Sequence, residues 1–271
     1  MNPIFPPLTE LFPEGDYGFH LTLRRSEPRE FFRAHDPSGS MLQERARWLT
    51  SEPDRYAIVT PEGRALVEEF RALATEWGVL GPLSGDAAGA LHEVGCGLEP
   101  DIAFLSADET GAFRLRAGAV CFPTGWALEE KIGRTLDFIH GVVPGLNRVL
   151  GSPIQQFLAK LKPGTAYLRH NWGLAASDEL NLHPARRIAP PSPPVRLDRL
   201  WLRLEHQALV AMPRTRSVAF GIRVALHRLD EIAASPASSR LCRALETMPS
   251  EVADYKNLTN IKLNVINLLC C

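Results

Sequence analysis

The chain has 271 residues, of which 45% are hydrophobic and 23% are charged, and its formal net charge at pH 7 is −1. These values are ordinary for a globular protein with one large domain or two small ones. The balanced charge gives no electrostatic case for binding nucleic acid or an anionic membrane, and no apolar run is long enough to span a bilayer. Because the N-terminus lacks a basic region followed by an apolar run, we expect a cytoplasmic protein.

Residues 1–98 are expected to be mainly helical, with loops between the helices. Two stretches space their apolar residues as helices do, PREFFRAHDPSGSMLQERARWLTSEPDRY and PEGRALVEEFRALATEWGVL. Pro61 suits the start of the second helix. Between the two stretches, YAIVT is compatible with a short strand.

Residues 101–232 change character and predict a sheet. DIAFLSAD and FRLRAGAVCFP are strand-like, and the turn with Gly111 between them suggests a hairpin. A helix over 129–140 follows, and then PGLNRVLGSPIQQFLAKL, a helical stretch with a break expected at 151–153. Three more strands are predicted, in AYLRHNWGLAAS, LDRLWLRLEHQALVAM and SVAFGIRVALHRL, the last two joined by a tight turn in PRTRS.

The order of these elements predicts an α+β fold, with a five-stranded antiparallel sheet and helices on one side. We therefore divide the chain into a mainly helical region at 1–98, a core at 99–234 and a helical C-terminal extension at 235–271.

His140 ends the predicted helix on its apolar side, because Ile132, Leu136 and His140 are spaced by four residues. Gly141 suits the left-handed position that follows a helix, and Pro144 prevents its continuation. An imidazole on an apolar face is either a core histidine with a hydrogen-bond partner or a ligand of a metal or haem. The residues alone leave both interpretations open.

The strand LWLRLEHQALV carries a polar stripe, since its alternation places Arg203, Glu205 and Gln207 on one face. Such a stripe is typical of the solvated side of an antiparallel sheet. Small residues around Arg223 on the next strand would instead leave room for a ligand or a buried ion pair. On AYLRHNWGL, Arg169 and Asn171 share one face, and Trp172 lies on the other.

Five cysteines are present, and none forms a CxxC pair, so this chain is not expected to build a zinc or iron–sulfur site. We expect the adjacent Cys270 and Cys271 to form a frayed tail. No dinucleotide-binding or phosphate-binding glycine motif occurs.

Four motifs resemble those of the haem-dependent oxidative N-demethylase alpha-subunit family. They are CFPTGWALEEKIGRTLDFIHGVVPG at 121–145, NWGL at 171–174, LRLEHQALVAMPRTRSVAFGIRV at 202–224 and YK at 255–256. The similarity covers nearly the whole chain and is weakest in the first 90 residues.

The resemblance implies a PAS-like domain that binds haem b and demethylates small secondary amines such as dimethylamine with O₂. On this view His140 is the axial ligand of the haem iron. Glu205, Arg203 and Asn171 are then the catalytic candidates, with Glu205 binding or deprotonating the amine. Further cofactor-binding candidates are Arg169, Trp172, Arg223 and Lys131.

The resemblance also implies partners. In the enzymes that the chain resembles, separate subunits carry flavin and an iron–sulfur cluster. The sequence shows no dinucleotide fingerprint and no iron–sulfur cysteines, so the resemblance implies a reductase partner of this kind. Two alternatives from other classes stay open at this point. One is a haem PAS sensor of gas or redox state without turnover, and the other is a PAS-like binding protein that has lost haem.

Overall fold

The computed structural model describes residues 5–12, 14–82 and 89–270. Across these residues, one antiparallel sheet of seven strands runs in the order β1-β5-β6-β7-β3-β4-β2. The strands are β1 (Arg24–Ser26), β2 (Ala57–Val59), β3 (Asp101–Ala107), β4 (Phe113–Ala119), β5 (Ala166–Ala175), β6 (Trp201–Met212) and β7 (Ser217–Arg228).

The predicted α+β class is confirmed, but the predicted count of five strands is wrong. All five strands expected in 101–232 form, as β3 to β7. The two additional strands come from the region predicted to be mainly helical: β2 lies in the YAIVT segment and pairs with β4, and β1 pairs with β5. Each has only three residues, which is too short to show a clear alternation of apolar and polar side chains.

Helices lie before, within and after the long strands. The first group is α1 (Leu8–Leu11), α2 (Pro28–Phe32), α3 (Ser40–Ser51), α4 (Pro53–Tyr56), α5 (Arg64–Glu76) and α6 (Ala90–Gly97). The second group is α7 (Leu128–Lys131), α8 (Leu136–His140) and α9 (Leu146–Ala159). The third group is α10 (Leu229–Ala233), α11 (Ser238–Thr247), α12 (Ser250–Tyr255) and α13 (Lys262–Leu269). None of the described helices is both long and apolar enough to cross a membrane.

The helices cover both faces of the sheet, whereas the sequence predicted one covered side. We call the face of β5 and β6 that carries Asn171 and Glu205 the polar face. Apolar residues of α8 and α9 pack on this face farther along the strands, against Tyr167 and Leu209. The first and third groups of helices bury the opposite face in two further apolar clusters.

The helix predicted over 129–140 is interrupted. Helix α7 ends at Lys131, Gly133 adopts a left-handed φ of 76°, and α8 begins only at Leu136. The Thr135 hydroxyl accepts a hydrogen bond from the Phe138 amide at 3.2 Å and so caps α8. His140 therefore belongs to a short helix of five residues that does not include Ile132.

The ends of α8 and α9 also differ from the sequence prediction. Gly141 has a right-handed φ of −60°, and the left-handed conformation is taken by Gly145, which precedes α9. Helix α9 continues through Pro153 without the expected break. The hydrogen bond that this proline cannot donate would go to Val149, which is exposed, so that water can take its place.

The C-terminus is not frayed at Cys270, because this residue follows α13 directly and forms a disulfide with Cys242 of α11. Cys271 lies outside the described residues.

Candidate functional site

The pairing of β5 with β6 places the predicted polar side chains next to one another. Asn171 lies opposite Glu205, and Arg169 lies opposite Gln207. Directly opposed residues of an antiparallel pair have their side chains on the same face. The sequence-based assignment within each strand, Arg169 with Asn171 and Glu205 with Gln207, is thus confirmed, and the pairing of the strands brings both pairs to the same face.

Glu205 is held by neutral donors. Its carboxylate accepts hydrogen bonds from the Thr124 hydroxyl at 2.6 Å, from Gln207 Nε2 at 2.8 Å and from Asn171 Nδ2 at 3.5 Å. No arginine, lysine or histidine among the described residues lies within ion-pair distance of it. Since the side chain is only half-buried, a cation can still approach this carboxylate.

Arg203 does not face a ligand, although it shares the strand face with Glu205. Its guanidinium is 1% exposed and donates to the Thr124 hydroxyl at 2.9 Å. It also donates to three backbone carbonyls, those of Phe122 at 2.9 Å, Leu180 at 2.7 Å and Glu179 at 3.1 Å. These bonds occupy the guanidinium, so Arg203 fastens the segments at 122–124 and 179–180 to the sheet and positions Thr124.

Arg169 behaves in the opposite way. It is half-buried on the polar face and makes no hydrogen bond or ion pair within the described part of the chain. Burial lowers the pKa of Arg169, and the Glu205 carboxylate partly compensates. A guanidinium has five N–H donors in a planar fork, which is suited to a carboxylate. The Arg169 guanidinium, which has no acceptor among the described residues, thus lies opposite Gln207, one of the residues that donate to Glu205.

His140 lies within range of the charge of Arg169. Burial lowers the pKa of the imidazole, the charge of Arg169 lowers it further, and Asp137 opposes both. The imidazole is consequently neutral at pH 7, the form in which histidine binds metals. Its side chain makes no hydrogen bond to any residue that the structure describes, so a core histidine with a hydrogen-bond partner is not what is observed.

The described side chains around His140 do not supply the ligand set of a bare metal ion. Within the described ranges, no group of three histidine, cysteine or acidic side chains gathers around it. A porphyrin supplies four nitrogen ligands of its own and needs only an axial imidazole from the protein. Near α8, the buried Oδ1 of Asn147 has no hydrogen-bond partner in the described structure. Lys131 Nζ lies 6.0 Å from the ring centroid of Phe138, which belongs to α8.

Two of the predicted cofactor-binding residues lie on the opposite face of the sheet. Trp172 is packed in the apolar cluster there, with its ring 5.3 Å from that of Phe12. Arg223 pairs with Glu99 and donates to the backbone carbonyls of Phe31, at 2.8 Å, and Arg33. These two side chains do not lie on the face that carries Glu205, because each is one position out of step with it along its strand.

Two functional candidates, Thr124 and Lys256, lie in motifs quoted above, but neither was assigned a role from the sequence. Thr124 lies in the quoted CFPTG segment, but nothing in its pattern shows that its hydroxyl links Arg203 to Glu205. Lys256 reaches the outer edge of β5, where its Nζ donates to the carbonyl of Trp172 at 2.6 Å. Burial lowers the pKa of Lys256 to about 8, against the opposing effect of the Glu205 carboxylate.

A comparison with known families identifies the family of the chain. The family model described as "Haem-dependent oxidative N-demethylase, alpha subunit-like" matches residues 53–266. The matched range contains His140, Arg169, Glu205 and Lys256, together with six of the seven strands. The chain therefore belongs to the haem-dependent oxidative N-demethylase alpha subunit-like family.

Proposed function

We propose that the protein is a haem-dependent monooxygenase that removes a methyl group from a small secondary amine, such as dimethylamine. The observation that carries this proposal is the composition of the polar face. Among the described residues, this face carries Arg169 without an acceptor and Glu205 without a cationic partner, and α8, which packs on the same side of the sheet, carries a neutral His140 without a side-chain hydrogen bond.

The proposed haem-binding core is 99–234. Its five long strands run in the order β5-β6-β7-β3-β4, which supports a PAS-like architecture. His140 would be the axial ligand of haem b, and Arg169 and Lys131 would receive the propionates. When bound, the haem iron would supply the activation of O₂.

Glu205 would bind the substrate, because a secondary amine is a cation at neutral pH and needs a counter-charge when it leaves water. Thr124 and Gln207 hold the two carboxylate oxygens in place, so that Glu205 can orient the ammonium without turning. Asn171 adds a longer hydrogen bond on the same side. As a carboxylate next to the amine, Glu205 is also placed to accept its proton.

The electrons for such a reaction would come from other subunits. The family name describes an alpha subunit, which supports an assembly with further components. We propose that those components carry flavin and an iron–sulfur cluster and are reduced by NADPH.

Replacing His140 by alanine tests the proposal. We expect the variant to stay folded, because His140 is a half-buried end residue of α8, and to lose stoichiometric haem together with the Soret band of the wild type. His92→Ala, an exposed residue of α6, is the control and should retain the spectrum. If the His140 variant keeps the same band and axial-ligand spectrum, His140 is not the ligand.

The class of function is decided by two further measurements on the wild type. A freshly purified protein without a Soret band that also fails to bind added haem would be a haem-free binding protein. A haem protein that releases no formaldehyde from dimethylamine with NADPH and a reductase fraction would be a sensor.

A further inference from the structure

The C-terminal helices contain a disulfide that lies away from the polar face. Cys242 is 5% exposed on α11, and Cys270 is exposed just after α13. The two residues are 28 positions apart in sequence, and their Cα atoms are 6.5 Å apart. The remaining cysteines within the described ranges, Cys96 and Cys121, are free.

The segment that this disulfide closes contains Lys256. From α11 the chain passes through α12 to Lys256, turns at Asn257 with a left-handed φ of 57°, and returns along α13 to Cys270. Lys256 is the only residue of this closed segment that donates a hydrogen bond to β5 in the described structure. The disulfide thus closes a covalent ring that contains Lys256, and Lys256 bonds to β5 at Trp172, next to Asn171.

The two sulfur atoms differ in ways that favour reversible chemistry. Cys270 can be reached from solvent, whereas Cys242 is covered by the helices. An exposed, attackable disulfide is of the labile kind.

Non-covalent contacts would hold the helices when the disulfide is open. Val265 and Leu269 are buried in the apolar cluster of the opposite face, and Ser238 Oγ donates to the Leu269 carbonyl at 3.0 Å. Reduction should therefore loosen α13 and the turn before it without unfolding the sheet.

We propose that Cys242 and Cys270 form a reversible thiol–disulfide clip, which sets the position of Lys256 and, through it, the affinity of the Glu205 site for its amine. The second half of this statement rests on the proposed function. Closed, the clip keeps Lys256 on the Trp172 carbonyl, next in the strand to Asn171, whose side chain donates to Glu205. When the disulfide is reduced, Lys256 can leave the Trp172 carbonyl, and the affinity of the Glu205 site for a cationic amine changes.

The redox step balances with a dithiol or glutathione as the partner. A thiolate attacks Cys270 Sγ, the bond between the protein sulfurs breaks, and Cys242 leaves as a thiolate and takes a proton. A second thiol then attacks the mixed disulfide, releases the oxidised partner and leaves Cys270 reduced. Two electrons pass to the protein, and glutathione disulfide reverses the step.

Hydrogen exchange tests the clip without any reference to turnover. We expect amides in 255–269 to exchange about tenfold faster in protein reduced with dithiothreitol than in protein oxidised with glutathione disulfide, since a local opening is no longer restrained. A Cys242→Ser, Cys270→Ser variant should match the reduced protein under both conditions. Cys96→Ser is the control and should respond as the wild type does. Equal exchange in the two redox states would overturn the proposal.

Dimethylamine titration, followed in the haem spectrum, tests the coupling to the site. We expect the apparent Kd of the two redox states to differ about fivefold, and the difference to vanish in Lys256→Met. If exchange changes but the two Kd values agree, the coupling is wrong. If neither state responds to dimethylamine, the proposed function fails and exchange alone decides the clip.

Metal analysis separates the clip from a zinc site. Cys242, Glu246 and Cys270 offer three ligand atoms within 4.8 Å of one another. One equivalent of zinc retained by the reduced protein after dialysis, with no disulfide in a non-reducing peptide map, would overturn the clip.

Discussion

The two strands that flank β6 each carry an arginine, and the fold uses them in opposite ways. Arg223 of β7 pairs with Glu99 on the opposite face and donates to two backbone carbonyls. Arg169 of β5, on the polar face, has no acceptor among the residues described. The difference teaches that a buried arginine with a complete set of partners holds the fold together, whereas the half-buried Arg169 keeps its donors for the role proposed above.

Removing Arg223 should have the largest effect on stability. In Arg223→Met, Glu99 stays buried without its cation, so we expect a loss of about 3–5 kcal/mol in the free energy of unfolding, measured by urea denaturation. Arg169→Met is the matched variant and should change stability by less than about 1 kcal/mol, because it breaks no protein contact. Similar losses in both variants would remove the contrast between the two arginines.

Glu205→Gln sharpens the functional side of the comparison. It keeps the shape of the side chain and removes the charge, so haem should be retained while amine turnover falls by roughly two to three orders of magnitude. Formaldehyde release and dimethylamine-induced spectral shifts measure the effect. Arg203→Lys, which preserves the charge but not the bonds to Thr124, separates positioning from substrate contact. If turnover equals that of the wild type, Glu205 does not act on the substrate, and the polar stripe is only the solvated side of the sheet.

His206 on the opposite face gives a pH dependence. Burial, aided by His170, lowers its pKa to about 4. The unfolded chain therefore binds this proton more readily between pH 6.5 and 4, so the stability is complete above pH 6.5 and falls as the pH decreases. The loss from this residue approaches about 3 kcal/mol near pH 4. His206→Gln should flatten the curve of unfolding free energy against pH, and His92→Gln should not. An unchanged slope in the His206 variant contradicts the assignment.

Thr124 should show the smallest effect. Thr124→Val removes the hydroxyl that donates to Glu205 and accepts from Arg203, so we expect amine affinity to weaken about tenfold with haem intact. Thr124→Ser restores the hydroxyl and should restore the affinity. If the serine variant is as weak as the valine variant, the hydrogen bond is not the cause.

The sequence predicted the long strands well because strict alternation in β5 and β6 determines which side chains share a face. This is why the alternation correctly grouped Arg169 with Asn171 on β5, and Glu205 with Gln207 on β6. The same rule, applied to β7, would have placed Arg223 with His206 rather than with Glu205, but it needs the register between strands, which only the folded pairing supplies.

The elements that were missed depend on contacts between distant residues. Gly133 interrupts the helix before His140 because its backbone takes a left-handed turn that no periodicity reveals. Thr124 bonds to Glu205 from about 80 positions away in the chain, and Lys256 bonds to the Trp172 carbonyl from about 84 positions away, so spacing along the sequence cannot find these contacts. The pairing of Cys242 with Cys270 is hidden for the same reason.

The third group of helices makes the central sheet difficult to transplant. Leu202 and Leu204 of β6 are almost completely covered by a cluster that includes Leu241 and Leu245 of α11. A fragment cut after residue 234 would expose this leucine face to water and would lose Lys256 from the edge of β5. The sheet is therefore not a portable module that can be fused upstream of other domains. An engineer who wishes to graft its polar face onto another scaffold must carry the C-terminal helices with it.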